Sequence, residues 1–169
     1  MTQTIENQNF TTTFLVDQTP REVFNAITNV RGWWSEEIEG ATSQLNDEFV
    51  YRNKDIHSCK MKLIEVIPDK SVVWLVTYNH FNFVKDQNEW TGTKVHFDIS
   101  QEGNKTRFLF THEGLVPTFE CYNVCSPAWT DYVQGSLLPL ITTGKGRPNQ
   151  GEFIAFDNQA EKASQPERK

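Results

Sequence analysis

Apolar and polar residues alternate with a period of two along six segments of the chain. Such alternation is typical of β-strands that bury one face and expose the other. The segment from Val72 to Tyr78 is apolar on both faces, which favours a central strand. In chain order, the residues predicted to share one face of their strand are Phe10, Thr12, Phe14 and Val16; Phe49 and Tyr51; Cys59, Met61 and Leu63; Val72, Trp74, Val76 and Tyr78; Val95, Phe97 and Ile99; and Phe108, Phe110 and His112.

Two short helices are predicted between the first two strands. Thr19, Pro20 and Glu22 form a Thr-x-x-Glu capping box with proline in the first turn, a pattern that begins a helix. Apolar residues then recur at helical spacing as far as Val30, so this helix buries one side. Gly32 interrupts the pattern, and the Trp-Trp-Ser that follows indicates a second short helical turn.

A longer helix is predicted near the C-terminus. Ser126 suits the N-cap, Pro127 suits the first helical position, and Gly144 suits the C-cap. Pro139 lies inside this helix and predicts a bend, for which Gly135 leaves room. The apolar stripe that this helix buries comprises Trp129, Tyr132, Val133, Leu137, Leu140 and Ile141.

Two stretches show no regular period. The stretch from Asn79 to Gly92 is expected to be a long connection, and connections of this length are often functional. Residues 147–169 are polar, and we expect a tail that is partly disordered. The order of strand, two short helices, five strands and long helix predicts one α+β domain over residues 9–146.

Charge and hydropathy exclude several partners. The formal net charge is −6, and the isoelectric point near 5.2 argues against nucleic acid, since phosphate binding needs clustered Lys and Arg. No apolar run approaches the roughly 18 residues of a membrane span, so no membrane insertion is expected. The polar start of the chain lacks the features of a signal peptide, which predicts a cytoplasmic protein. The sequence leaves the oligomeric state open.

Cysteines and histidines are the candidates for metal binding and catalysis. Cys121 and Cys125 are spaced by three residues, a poor match to structural zinc sites, so we expect no metal and no cofactor. No motif marks a nucleophile, although a pairing of His112 with a carboxylate from Glu113, Glu120 or Asp131 stays open. His112 shares a face with apolar rings, where it is expected either to be satisfied by a partner in the protein or to orient a ligand.

Four strings in order resemble one family: F-N-A-I-T-N-V-R-G-W-W-S at 24–35, E-W-T-G-T at 89–93, T-H-E-G-L at 111–115 and W-T-D-Y-V-Q-G-S-L at 129–137. They resemble homologues of the C-terminal domain of the activator of heat-shock-protein-ninety ATPase. This family lies within the START-like, polyketide-cyclase-like SRPBCC superfamily. The resemblance spans about residues 10–146 and implies a helix-grip (START-like, Bet v-like) fold. In that fold a curved six-stranded antiparallel sheet surrounds a long C-terminal helix, with a hydrophobic cavity between them.

The resemblance implies three kinds of function. Relatives bind lipids or other small apolar molecules, some catalyse cyclisation or hydration, and the eukaryotic namesake stimulates a chaperone ATPase. Aromatic residues make up 12% of this chain, which suits either a ring-rich core or a ring-lined cavity. We expect first a binding protein for a small hydrophobic, lipid-like or aromatic molecule, then a chaperone-activating or interaction domain, and then a cyclase or hydratase.

Strand and helix periodicity selects the residues expected to line the cavity and bind this ligand. A register slip of one residue would turn a whole strand's set outward. From the sheet they are Phe49, Tyr51, Met61, Leu63, Trp74, Val76, Phe97, Phe110 and His112; from the long helix they are Trp129, Tyr132, Val133 and Leu137.

Overall fold

The computed structural model describes residues 9–53, 57–82, 85 and 89–148. Within these ranges seven antiparallel strands form one sheet in the spatial order β1-β7-β6-β5-β4-β3-β2, and helical segments share a hydrophobic core with it. The strands are β1 Phe10–Val16, β2 Ile38–Gly40, β3 Glu48–Asn53, β4 His57–Ile67, β5 Ser71–Phe81, β6 Lys94–Glu102 and β7 Lys105–Glu113. The helical segments are α1 Pro20–Thr28, α2 Val30–Trp33, α3 Tyr122–Tyr132, a π-helical segment Val133–Leu137 and α4 Leu138–Thr143.

The start of α1 is the capping box that the sequence predicts. The Thr19 hydroxyl accepts from the Glu22 backbone N–H at 3.1 Å, and the Glu22 carboxylate accepts from the Thr19 backbone N–H at 2.9 Å. Both reciprocal bonds satisfy backbone donors that the helix leaves free. The two short helices between the first strands are therefore confirmed.

The sheet has one strand more than the six predicted. The additional strand, β2, pairs with β3 at the edge of the sheet and has three residues, of which only Ile38 is buried. A segment this short shows no usable alternation, which is why sequence periodicity did not reveal it. The Arg31 guanidinium donates to the carbonyl oxygens of Ile38 and Gly40 at 2.8–3.1 Å, so a side chain covers this edge.

The strand β5 carries an irregularity that changes which side chains face the core. After Val76 its pairing with β4 shifts by one residue. A β-bulge of this kind moves the following side chains to the opposite face. Tyr78, predicted to share the face of Val76, is therefore 50% exposed, while Asn79 and Phe81 are buried. The prediction for Tyr78 was wrong because the alternation of residues within β5 carries no information about a bulge in its pairing with β4.

The same strand shortens the predicted long connection. Residues 79–81 belong to β5 and pair with β4, so the connection to β6 begins after Phe81. Phe83, which the sequence placed in this connection, lies outside the described residues, as does the predicted tail from residue 149 onward.

The C-terminal helix begins one turn earlier than predicted. Its first residue is Tyr122, so Ser126 is not the N-cap and Pro127 is not the first residue. Instead the Ser126 hydroxyl donates to the Tyr122 carbonyl at 2.7 Å within the helix. Both predictions were wrong because they used only local capping preferences, which favour Ser at the N-cap and Pro at the first helical position.

A carboxylate distant in sequence provides the cap. The backbone N–H groups of Glu120 and Cys121 donate to the two carboxylate oxygens of Glu89 at 2.6 and 3.1 Å. A negative charge at this end of a helix is favourable because the unpaired N–H groups and the helix dipole are positive there. The tertiary fold, rather than the adjacent sequence, therefore sets where α3 begins.

The predicted irregularity at Pro139 takes the form of the π-helical segment. Proline lacks the N–H that would bond the Gly135 carbonyl in an α-helix. The Leu138 N–H bonds the Val133 carbonyl across five residues, and the Arg147 Nε donates to the Gly135 oxygen at 2.9 Å. The carbonyl that proline would leave unsatisfied is thus satisfied by a residue beyond the helix.

The end of the helical run is also anchored by a buried serine. Gly144 adopts the left-handed conformation (φ 87°) expected of a C-cap glycine. The Ser136 hydroxyl donates to the Trp33 carbonyl at 2.7 Å and accepts from the Arg147 backbone N–H at 2.7 Å. This bond network joins the π-helical segment to α2. No helix in the described ranges has the length and apolarity needed to cross a bilayer.

Replacing Glu89 should test the tertiary cap. Glu89→Ala should lower the free energy of unfolding by about 1–2 kcal/mol, the usual cost of losing an N-cap, and Glu89→Gln should cost less because one acceptor oxygen remains. Ser126→Ala is the matched control and should change it by less than about 0.5 kcal/mol. Urea unfolding monitored by circular dichroism gives these values, and equal losses for Glu89→Ala and Ser126→Ala would contradict the assignment.

Candidate functional site

All thirteen residues predicted to line a cavity lie between the sheet and the C-terminal helical run. None has more than 2% of its surface exposed. The inner faces deduced from strand and helix periodicity are therefore correct at these positions. Their role in ligand binding stays a prediction.

Aromatic rings fill most of the space in which the family resemblance predicts a cavity. Trp34 stacks on Tyr51 at 4.3 Å and on Trp74 at 5.6 Å between ring centres. Trp90 stacks on Trp129 at 5.6 Å with an angle of 10° between the ring planes. Offset stacking of this kind adds to the gain from burying the rings. In this conformation the interior is an aromatic core rather than an open pocket.

A narrow gap remains between the rings. No position inside it is wide enough for a water molecule. Only two of the residues around it were among the predicted cavity residues. The full set is Trp34, Trp90, Cys125, Ala128, Trp129 and Tyr132.

Sequence periodicity missed four of these residues for local reasons. Trp34 follows the last residue of α2, and Trp90 lies in the connection between β5 and β6. Cys125 precedes the helix start predicted from Ser126. Two signals were nevertheless present: a Trp-Trp pair ending a short helix, and a tryptophan in a long irregular connection, where functional residues are concentrated.

His112 is satisfied entirely by protein groups. The Trp129 indole N–H donates to Nδ1 of His112 at 3.0 Å, and the Thr93 hydroxyl lies 2.7 Å from Nε2. An indole nitrogen only donates, so Nδ1 carries no proton and Nε2–H donates to Thr93. The Thr93 hydroxyl in turn donates to the Trp90 carbonyl at 2.6 Å. Both ring nitrogens are committed to this chain of bonds, which joins β7, α3 and the connection before β6.

His57 is a second buried histidine, which the sequence did not single out as a site residue. Its Nε2 lies 2.8 Å from Oδ1 of Asn79, an acceptor, so this nitrogen carries the proton. The His57 ring meets the edge of Trp90 at 4.7 Å, and His112 meets Trp90 at 4.8 Å from another direction. The two histidines thus flank one indole.

Both buried histidines are uncharged at neutral pH. Burial lowers the pKa of His57 to about 3, and burial with the nearby His57 lowers the pKa of His112 to about 3. Protonating His112 would also oppose the Trp129 N–H, since both groups would then donate. His112 does not pair with Glu113, Glu120 or Asp131, because both of its ring nitrogens are bonded to other groups. Glu113 instead pairs with His96 at 2.7 Å on the outer face.

Two indole donors at the gap are buried without a hydrogen-bond acceptor among the described residues. They are Nε1 of Trp34 and Nε1 of Trp90. The Trp90 indole N–H interacts with the Cys125 thiol, a weak hydrogen-bond acceptor, and this interaction opposes the rise in the pKa of the thiol that burial causes. Trp33 and Trp129, by contrast, donate to the Ile27 carbonyl at 3.1 Å and to His112.

The cysteines are reduced, buried thiols. Burial raises the pKa of Cys59, and burial beside the Cys121 thiol raises the pKa of Cys125. Thiols held in this form are poor nucleophiles, because the thiolate is the reactive species. Among the residues that the structure describes, no three His, Cys, Asp or Glu side chains converge as metal ligands would.

The neutral histidines make stability depend on pH. Their pKa is about 3 in the folded chain and about 6.5 in the unfolded chain. Between these values the unfolded chain binds more protons, so stability falls as pH falls below about 6.5. Each histidine contributes a slope of up to about 1.4 kcal/mol per pH unit. Unfolding of His112→Gln, measured from pH 7 to pH 5, should show a shallower slope than the parent chain, and an unchanged slope would contradict this.

Comparisons with known proteins show similarity of structure rather than close sequence relationship. No family model and no curated protein matches the chain. The solution structure of the Aha1 dimer from Colwellia psychrerythraea is similar with a TM-score of 0.65 and 23% identity, over 82% of this chain and 98% of that one. DynU16, a putative protein in the dynemicin biosynthetic locus, has a TM-score of 0.59 and 15% identity, over 82% of this chain and 49% of that one.

A third structure, CalU16 from Micromonospora echinospora, has a TM-score of 0.56 and 14% identity, over 79% of this chain and 76% of that one. Identities this low establish a common fold and leave the function open. The chain therefore has the helix-grip, START-like fold that the sequence resemblance implied, with seven strands in place of six.

Proposed function

We propose that this protein binds a small hydrophobic molecule between the sheet and the C-terminal helix, at the gap bordered by Trp34, Trp90 and Trp129. The observation that supports this most is the pair of buried indole N–H groups without acceptors beside that gap. A buried donor without a partner costs about 1–3 kcal/mol. A core selected for stability alone would replace such a donor with an apolar ring.

The required chemistry follows from the lining of the gap. Its walls are rings, a thiol and an alanine methyl group, which favour an apolar ligand. An acceptor atom on that ligand would satisfy an indole donor and recover part of the burial cost. The gap is too narrow even for a water molecule, so at least one ring has to move when the molecule enters.

A protein-interaction role is the second candidate, and the edges and outer face of the sheet give it less support. Arg31 covers the β2 edge, and Gln134 donates to Thr12 and Thr13 of β1 at 2.8 and 3.0 Å. Covered edges disfavour addition of a partner strand. Two exposed apolar side chains lie opposite charged ones, Leu15 opposite Arg107 and Tyr78 opposite Lys60, which is typical of a solvated surface.

Catalysis is the third candidate and has the least support. A general acid or base needs a free nitrogen or a carboxylate in contact with the substrate. Both nitrogens of His112 are bonded within the protein. An enzymatic role for His112 would require one of these bonds to break.

Two neutral bicyclic probes should test the binding function. Quinoline and naphthalene have nearly the same shape, but only quinoline has a ring nitrogen that accepts a hydrogen bond. At pH 7.5 the chain should bind quinoline about five- to tenfold more tightly than naphthalene, as expected for one hydrogen bond. Trp34→Phe should reduce this preference and Trp33→Phe should not. Saturation-transfer NMR and calorimetry measure binding, and absence of binding by either probe would overturn the proposal.

The same two variants should differ in stability. Trp33→Phe removes a hydrogen bond to the Ile27 carbonyl, whereas Trp34→Phe removes a donor without an acceptor. The loss of ring volume is the same, so Trp33→Phe should cost about 1–2 kcal/mol more in unfolding free energy. Urea unfolding of both variants measures this difference, and equal costs would mean that the Trp34 donor is satisfied.

A further inference from the structure

The Trp90 side chain sits in an enclosure shaped for a flat ring. One face stacks on Trp129, and the rings of Phe81, His57 and His112 approach it nearly edge-on, at centre distances of 5.4, 4.7 and 4.8 Å. Stacking on one side with edges on the others is the arrangement that aromatic rings prefer. Trp90 is itself only 2% exposed.

Among the residues that the structure describes, none around Trp90 offers a free charge to an ionised molecule. His57 and His112 are neutral, and the carboxylate of Glu89, the residue before Trp90, is engaged by the backbone of α3. A buried ion without a partner would carry a large desolvation cost. The space that Trp90 fills therefore favours a neutral planar ring system.

Trp90 is the tryptophan at the gap whose side chain has the weakest attachment. Its N–H makes no hydrogen bond of normal geometry, whereas the Trp129 N–H is bonded to His112. Trp34 also lacks an acceptor, but it lies at the end of α2 and is stacked between Tyr51 and Trp74. Rotating Trp90 out of the core would break packing contacts and the interaction with the Cys125 thiol, a weak acceptor, but no hydrogen bond to a nitrogen or oxygen atom.

The backbone at this position is firmly held, so a side-chain rotation suffices. The Gly92 N–H donates to the Val76 carbonyl at 2.8 Å, and the Val76 N–H donates to the Thr93 carbonyl at 2.9 Å. The Thr93 hydroxyl donates to the Trp90 carbonyl at 2.6 Å. These bonds tie the residues around Trp90 to β5.

We propose that the Trp90 indole occupies the place of the ligand, and that the ligand is a neutral planar aromatic molecule about the size of indole, which takes over the stacking position on Trp129. This inference rests on the proposed function and adds the ligand class and the group that the ligand displaces. Without ligand, the Trp90 ring fills this space and stabilises the core. On binding, the ring system of the ligand replaces the Trp90 ring.

Fluorine NMR of the chain labelled with 5-fluorotryptophan tests the exchange directly, with quinoline as the probe. Five tryptophan resonances are expected, and single Trp→Phe variants assign them. On saturation with quinoline, the Trp90 signal should move toward the solvent-exposed position and respond to a paramagnetic relaxation agent in solution. The Trp33 and Trp74 signals should stay protected. Binding of quinoline with Trp90 still protected would overturn this inference and leave the proposed function standing.

Removing the Trp90 ring provides a second test. Trp90→Ala should bind quinoline at least tenfold more tightly than the parent chain, since no ring has to leave. Quinoline at 100 times its Kd should raise the Tm of this variant by about 5–10 °C. Trp33→Ala, an equally buried control whose ring does not border the gap, should show no gain over the parent chain.

The remaining outcomes separate the two proposals. Binding to Trp90→Ala but not to the parent chain would identify Trp90 as a permanent part of the core, and it would overturn both the inference and ligand binding by the native chain. No binding by either chain would overturn the proposed function itself. If Trp90→Ala does not fold, the fluorine experiment on the labelled parent sequence still decides the question.

Discussion

The hydrogen bond from the Trp129 indole to Nδ1 of His112 is the interaction on which the interior of this protein depends. It joins the C-terminal helix to the strand β7 inside a hydrophobic core that is rich in aromatic rings. Because the indole donates, the histidine has to stay neutral, and its second nitrogen has to donate to Thr93. Thr93 then fixes the Trp90 carbonyl. One tautomer therefore positions the helix, the sheet and the tryptophan that fills the space between them.

This arrangement separates two kinds of buried polar group. Those of His112, Trp129 and Ser136 are satisfied and hold elements together. The N–H groups of Trp34 and Trp90 are buried at the same depth without acceptors. Buried polar groups that are hydrogen-bonded favour one structure. Buried polar groups without a partner lower stability, so their presence needs another explanation. Both N–H groups lie beside the gap between sheet and helix, and the binding of a small molecule there is the explanation that we propose.

The C-terminal helical run shows how distant residues correct local defects. Its N-terminus lacks a side-chain cap from its own sequence, and the Glu89 carboxylate supplies one. Pro139 removes a donor from the run, and the Arg147 guanidinium supplies another to the Gly135 carbonyl. The helix that closes the site therefore depends on side chains from outside it, one of which precedes Trp90 directly. Glu89, which caps α3, is followed directly by Trp90, which fills the space between sheet and helix. The position of the helix and the position of the Trp90 ring are therefore coupled.

The sequence by itself determined the α+β order of the elements apart from β2, the capping box of α1 and the inward face of the long strands up to the bulge in β5, because alternation and capping are local. It placed Phe110 and Trp129 correctly in the interior for that reason. Only the tertiary structure decided the start of α3, the outward turn of Tyr78 and the tautomer of His112. It also decided that Trp34 and Trp90 border the gap. Each of these depends on a partner distant in the chain, and a hydrogen bond or a strand register between distant residues leaves no period in the sequence.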